Sequence, residues 1–137
     1  MPSPDDIFND FTLGEEERLS LDKHGHLLIP GLLTADTSER LINSLRQVTQ
    51  LGKHAVKGHE PQRFSAEFDE YLASLINHPQ MLMLARNILG EDIRYDHCVS
   101  LVRPAGTPAM SWHSHEYAED DPRLGFIRIF FYISGFT

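Results

Sequence analysis

The sequence predicts an α+β chain, helices first and strands after. Three observations carry that reading. Apolar residues recur at helical spacing as far as Leu89, the period shortens to two at Ile93, and Phe126 to Ser134 is almost wholly apolar and aromatic. A length of 137 residues with 41% hydrophobic side chains suits one domain with a core of its own and excludes a disordered chain. Residues 1–13 mix Pro, Asp and Asn with isolated apolar side chains and read as a loosely ordered leader, leaving 14–137 as a single domain.

Each element follows from local chemistry. Glu15, Glu16 and Glu17 open a short helix that ends at Lys23-His24-Gly25, placing acids and bases where the helix dipole favours them and Gly where the chain must turn. Leu27-Leu28-Ile29, stopped by Pro30-Gly31, suits a short strand. Thr34 then caps a helix from Ala35 to Leu51, whose stripe of Leu41, Ile42, Leu45 and Val48 closes at Gly52. Residues 53–63 carry Lys53, His54, Lys57, His59 and Arg63 with little apolar content, an exposed loop with a local positive patch. Phe68, Leu72, Leu75 and Ile76 mark the next helix, and Pro79 opens the one after, which ends at Gly90.

From Ile93 the alternation puts Ile93, Tyr95, His97, Val99 and Leu101 on one side and Arg94, Asp96, Cys98, Ser100 and Val102 on the other, as in a strand. Pro104 to Pro108 breaks it, a second extended piece runs from Met110 to His115, and 117–123 is an acidic loop. The IRIFFYI run at 127–133 suits a strand buried on both faces, with neighbours on either side. Since the sequence stops at Thr137, that strand is expected to be unpaired and to promote oligomers.

Charge and composition exclude several partners. Twelve basic against twenty acidic residues give a net charge of −8, which argues against a nucleic-acid surface or an anionic membrane. Cys98, the single cysteine, cannot form an internal disulfide, and neither a signal peptide nor a membrane span is present in the sequence, so a cytoplasmic protein is expected.

The one dense chemical cluster is Trp112-His113-Ser114-His115-Glu116-Tyr117. On an extended chain, residues i and i+2 share a side, so His113 and His115 present two imidazoles to one metal ion. A third donor could come from Glu116 or Glu119. His97 on the neighbouring strand adds a titratable group to the same concavity. His24 and His26 are also two apart, but Gly25 between them sits at a helix end, and that pair is structural. No nucleophile elbow or phosphate-cradling glycine pattern occurs.

With these residues in place, the chain resembles the phytanoyl-CoA dioxygenase family of Fe(II)- and 2-oxoglutarate-dependent oxygenases. The features that carry the likeness are the segment KHGHLLIPGLLTADTSERL, the strand ending in Val102-Arg103-Pro104, the WHSH motif, and the IRIFFYISGFT stretch. The resemblance implies a double-stranded β-helix, or jelly roll, with helices packed outside it; here it would be partial and lack its later strands. His113 and His115 fall where the family has His-x-Asp, so His115 replaces the expected carboxylate. That leaves an all-His site, a substitute carboxylate from Glu116 or Glu119, or a site that holds iron weakly. The family's distal His and 2-oxoglutarate-clamping Arg belong to later strands, and Arg128 is not at the clamp's position. By the same resemblance His97, Val99 and Phe130 line the cosubstrate pocket.

The implied activity is hydroxylation of a small organic substrate, with Fe(II) and 2-oxoglutarate as cofactors. Two other readings stand beside it. Gly106, His113-x-His115, Glu119 and Gly125 come close to a cupin metal motif, and a non-catalytic interaction domain would use the basic loop 53–63 or the acidic loop 116–121.

Overall fold

The structure, a computed structural model, describes residues 7–113 and 125–134. Five helices occur among them: α1 (Glu15–His24), α2 (Ala35–Gly52), α3 (Ser65–Phe68), α4 (Glu70–Ile76) and α5 (Pro79–Leu89).

Local chemistry sets most of the helix ends. At the start of α1 the Gly14 N–H donates to the Glu17 carboxylate at 3.1 Å. At its end the Gly25 N–H donates to the Leu21 carbonyl at 2.8 Å, with Gly25 at φ 72°, a left-handed conformation that a Cβ disfavours. The Thr34 hydroxyl accepts the Thr37 N–H at 3.2 Å and starts α2. The single helix expected around Phe68–Ile76 is divided. Asp69 adopts φ −144° and ψ 117°, and its carboxylate accepts the Leu72 N–H at 2.9 Å, so the residue ends α3 and caps α4. A short acidic side chain competes for backbone donors in this way wherever it can reach them. His78 caps α5 through Nδ1, which accepts the Gln80 N–H at 3.2 Å, and Pro79 occupies the first turn, where its missing N–H costs nothing.

The core is built from α2, α4, α5 and the stretch around Ile7. Leu41 and Val48 of α2 meet Leu72 and Leu75 of α4, Met81 and Leu84 of α5, and Ile7, Phe8 and Leu32. The Arg40 guanidinium lies 4.0 Å above the Tyr71 ring and ties α2 to α4 on the outside. Ile7 and Phe8 belong to the stretch that the sequence reads as a leader, yet both are buried. Their backbone is held as firmly as their side chains. The Ile7 carbonyl accepts the Thr37 hydroxyl at 2.7 Å, the Asn9 N–H donates to the Leu32 carbonyl at 2.8 Å, and the Gln80 side chain donates to the Asn9 carbonyl at 3.0 Å. Helix α1, by contrast, buries none of its residues.

The expected jelly roll is not there. Helix accounts for 43% of the described residues, which contain no β-strand and no sheet; their only pairing of strand type is the isolated bridge between Phe8 and Leu33. Alternation of side chains is necessary for a strand but not sufficient, because a ladder needs a second extended backbone about 4.8 Å away. Leu27–Ile29 has no such neighbour among the described residues, and Leu28 is exposed. Residues 91–103 form neither helix nor strand, and Cys98 and Ser100 take their backbone partners from the turn at 62–65. Residues 125–134 form neither helix nor strand and lie against the helices: Phe131 and Ile133 pack on the helical core, and a Cβ on Gly125 would sit 3.3 Å from the Leu89 side chain. Ile127, Phe131 and Ile133 of the IRIFFYI stretch are therefore only partly buried and the rest of it is exposed, in place of the two buried faces expected.

No helix among the described residues is long and apolar enough to cross a membrane.

Candidate functional site

The residues singled out in the sequence fall into separate neighbourhoods. The first is built where the end of the basic loop meets the extended chain after α5. The Ser65 N–H and hydroxyl both donate to the Cys98 carbonyl, at 2.9 and 2.8 Å, and the Ser100 N–H donates to the Gln62 carbonyl at 2.8 Å. The Ser100 hydroxyl donates in turn to the Ser65 oxygen at 2.8 Å. Ser65 is completely buried and Ser100 nearly so, so this small network is closed to water and fully satisfied. It settles which side of the alternating segment faces inward, which the alternation itself leaves open. Cys98 and Ser100 turn inward, and Val99 and Leu101 turn out.

The same network positions His97. The ring is partly buried, approaches Phe64 edge-on with centroids 6.4 Å apart, and pairs through Nδ1 with the Asp96 carboxylate. A carboxylate only accepts, so Nδ1 carries the proton and the lone pair of the neutral ring lies on Nε2. Next to it, burial pushes the Tyr95 phenol up to about 12 from its ordinary 10.0, helped by the negative charge that Cys98, Glu67 and Asp96 bring to the neighbourhood.

The second neighbourhood is His113, which is exposed. Its Nδ1 lies 2.9 Å from the Ser111 carbonyl oxygen. A carbonyl also only accepts, which again puts the proton on Nδ1 and the lone pair of the neutral imidazole on Nε2. This is the arrangement in which metal-binding histidines are commonly held. His115, Glu116 and Glu119 lie outside the described residues, as does the acidic loop 117–123. Among the described residues, no three His, Cys, Asp or Glu side chains gather as a metal site would require.

Phe130 forms the third. It is exposed and stacks on Tyr132 with centroids 6.1 Å apart and planes 10° from parallel. His97, His113 and Phe130 thus have three different sets of neighbours. Two shallow hollows, of about 590 and 430 Å³, flank α2, lined by residues such as Arg46, Leu51 and His54 in one and Arg40, Asn43 and Asp69 in the other. Neither includes a residue that the sequence marks for chemistry.

The Ser65–Cys98–Ser100 network was not anticipated from sequence, although its signal is present: Cys98 and Ser100 fall on the same side of an alternating segment and are both small. Comparison with known proteins adds no relative. No protein-family model, no curated protein and no solved structure matches the chain.

Proposed function

We propose that His113 and His115 are ligands of a ferrous ion, and that the chain serves a non-haem, 2-oxoglutarate-dependent oxygenase that hydroxylates a small organic substrate. The observation that carries this reading is the bond from His113 Nδ1 to the Ser111 carbonyl. It fixes the tautomer whose Nε2 can coordinate, and it limits rotation of a ring that is otherwise surface-placed. Two imidazoles one residue apart on extended chain can reach one ion with no sheet around them. Imidazole nitrogen suits divalent iron, and a carboxylate from Glu116 or Glu119 would complete the facial set of two nitrogens and one oxygen. When bound, the iron and 2-oxoglutarate supply the oxidation of a substrate C–H bond by dioxygen. The chain's own residues hold ring orientation and tautomer: Ser111 for His113, and Asp96 with Phe64 for His97.

Anaerobic titration of the chain with Fe(II), and with Co(II) as a spectroscopic probe, tests the proposal. One ion should bind per chain, His113→Ala and His115→Ala should each weaken binding at least tenfold with the helical circular dichroism unchanged, and one of Glu116→Gln or Glu119→Gln should do likewise. Succinate should form from 2-oxoglutarate once iron and oxygen are supplied. A folded chain that takes up neither metal at millimolar concentration, or takes it up equally well without both histidines, would overturn the assignment.

A further inference from the structure

We propose that the last turns of α2 and the basic loop after it form a binding site for a small organic anion, one with a single phosphate or carboxylate head on an apolar body. The site is separate from the iron site. Arg46, Gln47, Gln50, Leu51 and His54 line the hollow of about 590 Å³ at this end of α2. The first four follow one another at steps of one and three, which puts them on one face of the helix, distinct from the buried stripe of Leu41, Ser44 and Val48. Arg46, the two glutamines and His54 all carry N–H donors, and no carboxylate stands among them. Arg46 gives one N–H to the Asn43 side chain at 3.4 Å, which leaves most of its fork for a ligand. Leu51 and the aliphatic stems form an apolar floor, in a space within the ~300–1,000 Å³ typical of small-molecule sites.

A helix end ordinarily repels an anion through its bare carbonyls. Here they are covered. The Lys53 N–H takes the carbonyls of Gln50 and Leu51, and the Ala55 N–H takes that of Gly52 at 3.3 Å. The loop that follows is closed on itself. Gln62 lies on Gly52, where a Cβ would come within 2.6 Å of its side-chain oxygen, and the Ser100 N–H holds the Gln62 carbonyl at 2.8 Å. With its ends brought together, a loop of this length carries no residue farther than about 17 Å from α2. Lys53, Lys57 and Arg63 belong to it, with Glu60 as its one carboxylate. Glu60 is turned to the loop's own backbone and accepts the Gly58 N–H at 3.1 Å. None of Arg46, Lys53, Lys57 and Arg63 forms an ion pair with a described residue.

The charge of the whole chain selects the size of the ligand. At −8 it repels a nucleic acid or an acidic protein along its length, whereas a ligand of one or two charges meets only the cations within a Debye length of about 8 Å.

Nuclear magnetic resonance titration of the metal-free chain with phenyl phosphate, inorganic phosphate and phenol tests this. Phenyl phosphate should bind one per chain at about 1 mM, as a ligand of its size allows, with amide shifts confined to 46–63. Inorganic phosphate lacks the apolar body and should bind at least fivefold more weakly, and phenol lacks the head and should cause no shift at the same concentrations. Arg46→Gln in the hollow, and Lys53→Gln with Lys57→Gln in the loop, should each weaken phenyl phosphate about fivefold. Lys23→Gln, which removes the same charge from α1, and His113→Ala should change nothing. All these side chains are exposed, and retained helical circular dichroism checks the fold of each variant. No shift at tens of millimolar phenyl phosphate, binding of phenol as tight as that of phenyl phosphate, equal loss from Lys23→Gln, or tighter binding of a nucleic-acid duplex would each overturn the proposal.

Discussion

Ser65 offers the sharpest test of how the extended chain after α5 is held. Its hydroxyl donates to the Cys98 carbonyl and accepts from Ser100, both at 2.8 Å, in a place no water reaches. Ser65→Ala keeps the Cβ and suits the start of a helix, so the change is confined to the hydroxyl. Two hydrogen bonds of about 1 kcal/mol each disappear, and the Ser100 hydroxyl loses its acceptor, for a net loss of about 2 kcal/mol. At 1.4 kcal/mol per decade this is about a 30-fold rise in the opening of residues 98–100 from the turn at 62–65. Hydrogen exchange reads it directly, since the Ser100 N–H donates to the Gln62 carbonyl and should exchange about 30-fold faster in the variant. Ser100→Ala should cost less, about 1 kcal/mol, and the double variant less than the two together, because both changes remove the same bond. A Ser65→Ala protein within about 0.5 kcal/mol of the wild type in urea, with Ser100 exchange unaltered, would show that the network does not hold the segment.

Three further outcomes are expected. Leu41→Ala should lower stability in urea by about 2–5 kcal/mol, since Leu41 is only 1% exposed and its neighbours come from three helices. Thr37→Val removes the donor to the Ile7 carbonyl, and should cost about 1–2 kcal/mol while speeding exchange of the Asn9 amide, which measures release of the adjoining backbone. The Tyr95 phenol, raised to about 12, should account for a late-titrating component in the ultraviolet absorbance that Tyr95→Phe abolishes. An acid with a raised folded-state pKa holds its proton more tightly when folded, so its contribution is whole below pH 10 and is lost as pH climbs toward about 12. Alkaline unfolding should accordingly begin at higher pH in Tyr95→Phe.

The helices were legible because their signals are local. The acids and Gly25 of α1, Thr34 before α2, and Pro79 in α5 act within one turn, and each lies where the sequence places it. Asp69 was legible only in hindsight, since a carboxylate inside an apolar stripe reads equally well as an exposed helical position. The extended segments were misjudged for a different reason. Alternation specifies two sides but names neither as the inner one, and it contains no information about which backbone lies alongside. Ser65 decides the matter by recruiting Cys98 and Ser100 through hydrogen bonds made across more than thirty residues, which leaves Val99 and Leu101 outside. Ile7 and Phe8 carry no period at all; their burial depends on Thr37, Gln80 and His78, each remote in sequence. Of the site, the tautomer of His113 follows from a carbonyl two residues away, a geometry that residue types alone do not encode.

The docking of Phe8 has a consequence for how the protein is made. Its ring meets His78 edge-on at 4.8 Å and stacks on Phe131 at 5.9 Å, so once synthesised it must wait for a partner more than a hundred residues downstream. At about 5–20 residues per second, the interval between them is on the order of ten seconds. Throughout it Ile7 and Phe8 form an uncovered greasy spot on the growing polypeptide, visible to any chaperone that surveys nascent chains. Helix α2 can form early, but the core it contributes to is covered only once Phe131 has been made.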